Sequence, residues 1–427
     1  MALSKEERSW ILYDVANSAF ILIVVTTLMP IFFKGVAAAD LPGNRSTALW
    51  GYTNSIASIF LAVLAPILGS FADYKGMKKR LFLGFFFVGV VMTFLFTTIA
   101  EGMWPYAMAI SIIGLIGYSG ANLFYDSFLT DVTTDERMDR ISTRGYAWGY
   151  VGSIVPFALA FIFILMPQLI GGSQTLATRI AFVITGVWWF LFTIPMMRNV
   201  RQSYFVERDS HPIRGAFRRL GTTFTHIRSY RNAFLFLIAY FFYIDGVGTI
   251  IKMATSYGTD IGMGQTELIL VVLAIQIIAF PFALLYGTLA KRYSAKLMLL
   301  IGIGVYLVVT VLGFFLPAFR DPDFQRIMFW AMAFLVGTSQ GGIQALSRSF
   351  FGTLIPKSRS GEFYGFYNIF GKFAAILGPF LLGIASDLTG ESRFGVLSLI
   401  PLFVVGGVVL LFVHRKPERI EDPARLS

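Results

Sequence analysis

Apolar residues run along this chain in twelve long stretches, at 10–33, 48–72, 81–100, 104–130, 145–167, 178–197, 233–257, 267–289, 297–317, 327–351, 363–386 and 394–413. Short clusters of charge separate them. About 20 residues is the length at which a helix crosses ~30 Å of hydrocarbon. Barrel strands would be about ten residues long and strictly alternating. These stretches are longer and continuous, so they predict helices. The first follows Lys5 and Arg8 much as a signal peptide would. It is long, however, contains Asp14 and lacks a small-residue cleavage site, and reads as a retained first helix. The expected fold class is an all-α membrane protein with twelve transmembrane helices in two six-helix bundles.

Lys and Arg in the loops set the expected orientation. They concentrate on the side that carries the N-terminus. Only Lys34, Arg45, Arg179, Lys252, Arg320, Arg326 and Arg393 fall at the opposite ends, and Lys372 lies inside a stretch. Both termini are therefore expected in the cytoplasm. The longest interior loop is polar and basic and divides the chain into a bundle at 1–197, a cytoplasmic linker at 198–232, a second bundle at 233–413 and a tail at 414–427. Within the linker, Ile213 to Phe224 reads as a short amphipathic helix on the membrane surface.

Polarity recurs every third stretch. Stretches 3, 6, 9 and 12 hold almost nothing but apolar residues, Gly, Pro and Thr. Stretches 1, 4, 7 and 10 each carry a polar stripe at helical spacing: Asp14, Asn17 and Ser18; Tyr118, Asn122, Tyr125 and Asp126; Asp245, Thr249, Lys252 and Ser256; Gln340, Gln344, Ser347 and Arg348. Polar groups are costly against lipid, so such stripes face protein or a wet cavity. A repeated three-helix unit with a midplane site is how many secondary transporters are built.

Composition narrows the chemistry. The chain is 56% hydrophobic and 14% charged, whereas a soluble domain carries roughly 25% charge. The net charge of +11 is distributed as a topogenic signal, so no nucleic-acid partner is expected, and anionic lipid headgroups are a secondary one. There is no cysteine, and His211, His226 and His414 lie outside the apolar stretches. Thiol chemistry, disulfides, an intramembrane histidine metal site and a Ser-His-Asp set are excluded. No Gly-x-x-x-x-Gly-Lys-Ser/Thr loop occurs. No cofactor, no metal and no enzymatic activity are expected.

The run Gly69-x-x-x-Asp73-x-x-Gly76-x-Lys78-Lys79 follows the second stretch. It resembles the Gly-Asp-Gly-basic loop of the major facilitator superfamily, and implies that fold. The likeness implies that Gly69, Asp73, Gly76 and Lys78 form a conformational latch. The equivalent run after stretch 8 has Lys291 in place of Asp73. Three further runs carry a narrower likeness: Tyr13-Asp14-Val-Ala16-Asn17-Ser18-Ala-Phe20, Gly341-Gly342-Ile-Gln344-Ala-Leu-Ser347-Arg348-Ser349 and Glu362-Phe-Tyr364-Gly365-Phe-Tyr367-Asn-Ile-Phe-Gly371-Lys372. They resemble the vacuole-effluxer-like branch, also called the unknown major facilitator family. Its best-known fungal relatives imply export of amino acids from the vacuole.

Asp245 and Lys372 lie near the middle of their stretches. A lone charge at that depth costs ~2.5–3.5 kcal/mol even on the lenient insertion scale, so an ion pair between them is expected. It would be either a substrate and coupling site or a structural pair. Asn368 shares the face of Lys372. Asp14 and Asp126, with Arg144 and Arg348 at similar depth, read either as a gate of ion pairs or as substrate contacts. Tyr118, Tyr125, Tyr243, Tyr364 and Tyr367 are candidate cavity residues. The substrate and coupling candidates are thus Asp14, Asn17, Asn122, Tyr125, Asp126, Asp245, Lys252, Gln340, Gln344, Arg348, Asn368 and Lys372. The expected protein is a monomeric secondary transporter in a plasma (bacterial inner) membrane. It would move a small polar or zwitterionic solute, amino acids first, driven by a proton or sodium gradient or by the substrate gradient alone. The alternatives are a lipid or lipophilic-drug exporter of the same fold and a non-transporting scaffold or assembly factor.

Overall fold

A computed structural model describes residues 2–207, 212–225, 230–260 and 262–414. The expected positions of His211 and His226, and all of the tail beyond His414, lie outside the described residues. Twelve long helices follow the twelve apolar stretches. They are α1 (Lys5–Ala37), α2 (Gly43–Ala72), α3 (Met77–Leu95), α4 (Trp104–Ser127), α5 (Asp135–Leu165), α6 (Gln174–Asn199), α7 (Arg231–Asp260), α8 (Gln265–Arg292), α9 (Ala295–Phe315), α10 (Pro322–Gly352), α11 (Ser360–Thr389) and α12 (Arg393–Leu411). Among the described residues, eleven are long and apolar enough to cross a membrane. The other is α10, equally long at 31 residues, whose polar stripe and Arg326 dilute its hydropathy. The linker contributes a further helix, Pro212–Thr225, where the amphipathic pattern placed one.

Two compact units emerge. The first comprises Met1–Val132, Trp148–Arg218 and Ser358–Gly365; the second comprises Thr133–Ala147, Arg219–Lys357 and Phe366–Ser427. The units therefore depart from the sequence halves in two places. The opening of α5 belongs with the later helices, and the first turns of α11 belong with the earlier ones.

In the first unit, α1 widens to a π-helix over Phe20–Leu28 and again over Phe33–Ala37. Pro30 offers no N–H to the turn before it, and the Thr27 hydroxyl donates to the Leu22 carbonyl at 2.7 Å. Trp189 is fully buried, and Trp188 donates its indole N–H to the Val15 carbonyl at 3.1 Å, so both tryptophans pack within the bundle. Helices α3 and α4 approach backbone to backbone: a Cβ on Gly117 would lie 2.5 Å from the Gly89 nitrogen and 2.8 Å from its Cα. Small residues permit such contacts where lipid offers no hydrophobic drive for helix association. Large apolar side chains stand exposed along α3, α6, α9 and α12, among them Phe87, Leu191, Val308 and Val408. They mark faces suited to lipid.

The glycine contact gives a test. Gly117→Ala forces backbone apart and should cost about 1–3 kcal/mol by overpacking. It should lower the melting temperature in detergent, measured by intrinsic fluorescence. Gly84→Ala, on the same pair of helices with nothing within 4 Å of the new Cβ, should leave it unchanged.

Candidate functional site

The turn after α2 is built around two residues with opposite demands. Gly76 takes φ +73° at the start of α3, a conformation that is inexpensive only for glycine. Asp73 is fully buried. Its Oδ1 accepts the Gly361 N–H at 2.7 Å and its Oδ2 accepts the Glu362 N–H at 2.9 Å. These amides belong to the first turn of α11, where a helix leaves its donors without internal partners. The partial positive charge of the helix end favours an anion there. The approach requires glycines: a Cβ on Gly361 would stand 2.6 Å from the Gly69 carbonyl oxygen and 2.7 Å from Asp73 Oδ1.

A ring of charge surrounds this cap. Lys78, fully buried, donates to Asp131 Oδ2 at 2.7 Å and to the Ser360 hydroxyl at 2.8 Å. Arg359 holds the buried Glu362 carboxylate through two nitrogens. The linker closes over the outside. Val206 donates its N–H to the Asp73 carbonyl at 2.7 Å, and Ser203 and Tyr204 donate theirs to Asp131 Oδ1 at 2.8 and 2.9 Å. Burial pushes the Asp73 carboxyl up to about 7, against the downward pull of Lys78 and the two amides. Thus Gly69, Asp73, Gly76 and Lys78 do come together. Asp131 and Arg359 were not singled out in the sequence, because nothing in the spacing of residues 78, 131 and 359 announces contact. In the second unit, Gly287 packs against Thr143 of α5, as Gly69 packs against Gly361. Lys291, in the place of Asp73, is exposed.

Elsewhere in the first unit, Asn17 of α1 donates to Asn122 of α4 at 3.0 Å. Asp14 is buried and Asp126 half-buried, and both act electrostatically on the Tyr118 hydroxyl. Tyr125 is a packing residue: fully buried, with its ring 4.5 Å from that of Trp10 and 4.6 Å from that of Tyr13.

The second unit contains a cavity of about 200 Å³ lined by Tyr146, Tyr240, Lys252, Gln344 and Tyr367, with Gly248 and Gly371 in its wall. Its lining comes from the opening of α5 and from α7, α10 and α11, and none of it from α9 or α12. Tyr240 and Tyr367 stack at 4.3 Å and 20°. The guanidinium of Arg348 stands 4.5 Å from the Tyr146 ring and donates from Nε to the Ser142 hydroxyl at 2.9 Å. Tyr243, a cavity candidate by sequence, instead shares a hydrogen bond of 2.6 Å with Ser347. Tyr364 is buried and belongs to the first unit. Gln340 is buried, and its carbonyl oxygen makes no hydrogen bond among the described residues; nor does that of the half-buried Asn368. The sequence reading missed Tyr240 and Tyr146. Tyr240 was available, since Tyr240, Ile244, Gly248 and Lys252 recur every four residues on one helix face.

Asp245 meets α11 at a different place from the one expected. Its Oδ2 accepts the Gly378 N–H at 2.7 Å, six residues beyond Lys372, or about 9 Å further along the helix. Gly378 precedes Pro379, where the helical ladder loses a donor, and a backbone amide there serves the carboxylate that an ammonium was expected to serve.

Helices of this number and order define the major facilitator fold, and solved structures agree. The chain superposes on a bacterial homologue of the iron transporter ferroportin in the outward-facing state, with TM-score 0.67 and 14% identity over 95% of this chain and 98% of that one. It superposes on FucP in the outward conformation with TM-score 0.69 and 14% identity over 96% and 98%. At such identity these likenesses establish the fold. The family model described as "Vacuole effluxer Atg22 like" matches residues 43–422, and the chain belongs to that family. It is 48% identical to a protein of Bacillus subtilis (strain 168) named "Uncharacterized MFS-type transporter YxiO", over 96% of this chain and 95% of the relative. It is 24% identical to autophagy-related protein 22-1 of Penicillium rubens, over 85% and 74%.

The capping geometry predicts the effect of Asp73→Asn. The amide turns an NH₂ toward one of the two N–H donors, so one donor is left unsatisfied, at a cost of about 1–3 kcal/mol. A cysteine placed at buried Ala72, in a chain with none of its own, should react faster with maleimide in this background. There is also a pH signature. The folded carboxyl titrates above its unfolded value of 3.8, so its contribution to stability is complete below that value and is lost as pH rises through about 7. Melting temperature measured from pH 5 to 8 should show this loss in the parent and lack it in Asp73→Asn.

Proposed function

We propose that this protein is a secondary transporter that moves a small polar solute across a plasma membrane by alternating access. The observation that carries the reading is the cavity at Lys252 and Gln344: hydrogen-bonding side chains gathered among helices otherwise apolar enough for lipid. Building such a site inside hydrocarbon is costly unless function uses it. The description of the family as effluxer-like and the name of the Bacillus subtilis relative as an MFS-type transporter support the same class. Amino acids are the first solutes to test. Both termini are assigned to the cytoplasm on the distribution of Lys and Arg, the protomer works as a monomer, and the sequence halves 1–197 and 233–413 act as the two bundles. The cap at Asp73 serves as the latch that holds one conformation.

Asp245 is the proposed carrier of a coupling proton. Its Oδ1 and the Thr249 hydroxyl are both buried without a hydrogen bond among the described residues. A proton on Oδ1 would create a donor beside an acceptor at low cost.

Counterflow in proteoliposomes against an amino-acid panel tests the reading. Accelerated uptake of one or more solutes is expected, and an inert protein across polar, zwitterionic and lipophilic panels would favour a scaffold. Asp245→Asn retains an acceptor for Gly378 and should melt near the parent temperature. Asp245→Ala strands that amide and should lose about 1–3 kcal/mol. Both should lose proton-driven accumulation, while Asp245→Asn retains counterflow, which needs no gradient.

A further inference from the structure

Buried threonines in the long helices settle their hydroxyls on the carbonyl one turn back. Thr93, Thr185, Thr193 and Thr310 each donate to the residue four before them, at 2.8, 2.8, 2.6 and 2.8 Å. Thr249 of α7 is as deeply buried, yet its hydroxyl makes no hydrogen bond among the described residues. It stands at Gly378 of α11 instead, where a Cβ would overlap it. The same Cβ would stand 2.9 Å from Asp245 Oδ1, which is also buried without a hydrogen bond among the described residues. Four residues apart, Asp245 and Thr249 share one face of α7. Their two orphaned oxygens converge on a place that only a glycine leaves open.

The groups at that place define what it can hold. The amide that could serve it, the Gly378 N–H, is committed to Asp245 Oδ2. What remains is oxygen, one from a carboxylate and one from a hydroxyl. Pro379 lies inside α11 and has no N–H to give the Ala375 carbonyl, so a third oxygen is released in the same turn. Oxygen ligands suit hard cations, and carbonyls freed where a membrane helix is interrupted serve sodium in transporters. One carboxylate is neutralised by one positive charge. A divalent ion would leave net charge among apolar helices, where it is costly. The charge of Lys252 acts on Asp245, but Lys252 is exposed and its ammonium makes no bond to Oδ1. The room left by one absent side chain is small, which favours sodium over potassium and over any organic ammonium.

We infer that Asp245 Oδ1 and Thr249 Oγ1 bind a sodium ion between α7 and α11, in the space left by Gly378. The ion and the proton proposed for Oδ1 exclude one another, since both need the same oxygen. Binding requires no transport; its use as a coupling ion rests on the transport reading above.

The test is thermal unfolding of the full-length protein in detergent, followed by intrinsic fluorescence. NaCl replaces choline chloride at fixed ionic strength and mildly alkaline pH, and KCl serves as the size control. Retention of radioactive sodium by the folded protein is measured alongside. We expect a saturable rise in melting temperature with NaCl, a much smaller one with KCl, and sodium retained on the protein. Asp245→Asn, which keeps an acceptor for Gly378, should abolish both effects. Thr249→Val should raise the half-saturating sodium concentration at least about tenfold, the loss of a contact to a charged group. Thr249→Ser should keep it near the parent value. The Val and Ser pair decides the matter if Asp245→Asn fails to show a cooperative transition in choline. No sodium effect in the parent, an equal effect with KCl, or parent affinity in Asp245→Asn or Thr249→Val would overturn the inference. If counterflow moves a solute while sodium neither binds nor stabilises, the sodium site falls and the transport reading stands. If sodium binds as expected and no solute moves, the site stands and the transport reading falls.

Discussion

The first turn of α11 begins inside protein, and its free amides must find acceptors where water is scarce. Asp73 supplies both, one oxygen to Gly361 and the other to Glu362. Much of the neighbouring sequence follows from that contact. The helices must approach at backbone distance, which requires Gly69 and Gly361. The carboxylate must be buried, which brings Lys78 and Asp131 in behind it and Arg359 onto Glu362. The cluster holds three carboxylates and two cations, so a proton on Asp73 would balance it. Burial lifts that carboxyl toward neutral pH, in the direction of such a balance. The linker adds its own amides to Asp131 and to the Asp73 carbonyl, so the loop after α6 is part of the same hydrogen-bonded construction.

A second carboxylate repeats the device under different constraints. Asp245 also binds a backbone amide of α11, beside the proline that interrupts its ladder. An ammonium partner would cost desolvation twice, once for each ion. A backbone amide is already present and already dry. Its use leaves one Asp245 oxygen without a hydrogen bond among the described residues.

The cavity brings together what the polar stripes separately offer. Lys252 and Gln344 come from two striped helices, Tyr367 from α11 and Tyr146 from the start of α5. Large aromatic surfaces provide contact with little side-chain entropy to lose, and a few polar groups then determine orientation. Arg348, anchored to Ser142 over Tyr146, fixes one wall by a bond between side chains 206 positions apart.

The sequence by itself determined the helices, because crossing lipid imposes a length and a hydropathy that few other structures satisfy. It also determined the polar period of three, since a polar residue facing lipid is penalised wherever it falls. The Asp73 turn was legible because Gly69, Asp73, Gly76 and Lys78 stand together in one short run whose spacing resembles the major facilitator loop. Tertiary structure decided which groups meet. Asp245 met a backbone amide, and amides carry no signature in sequence. Tyr125 went to packing against Trp10 and Tyr13, while Tyr240 and Tyr146 went to the cavity, and a tyrosine in an apolar stretch looks the same in either role. Asp131 and Arg359 joined the cap from just after α4 and just before α11, far from Asp73 in the chain. Depth along a helix can be read from one segment alone, but the rotation of that helix against its neighbours depends on every side chain packed between them.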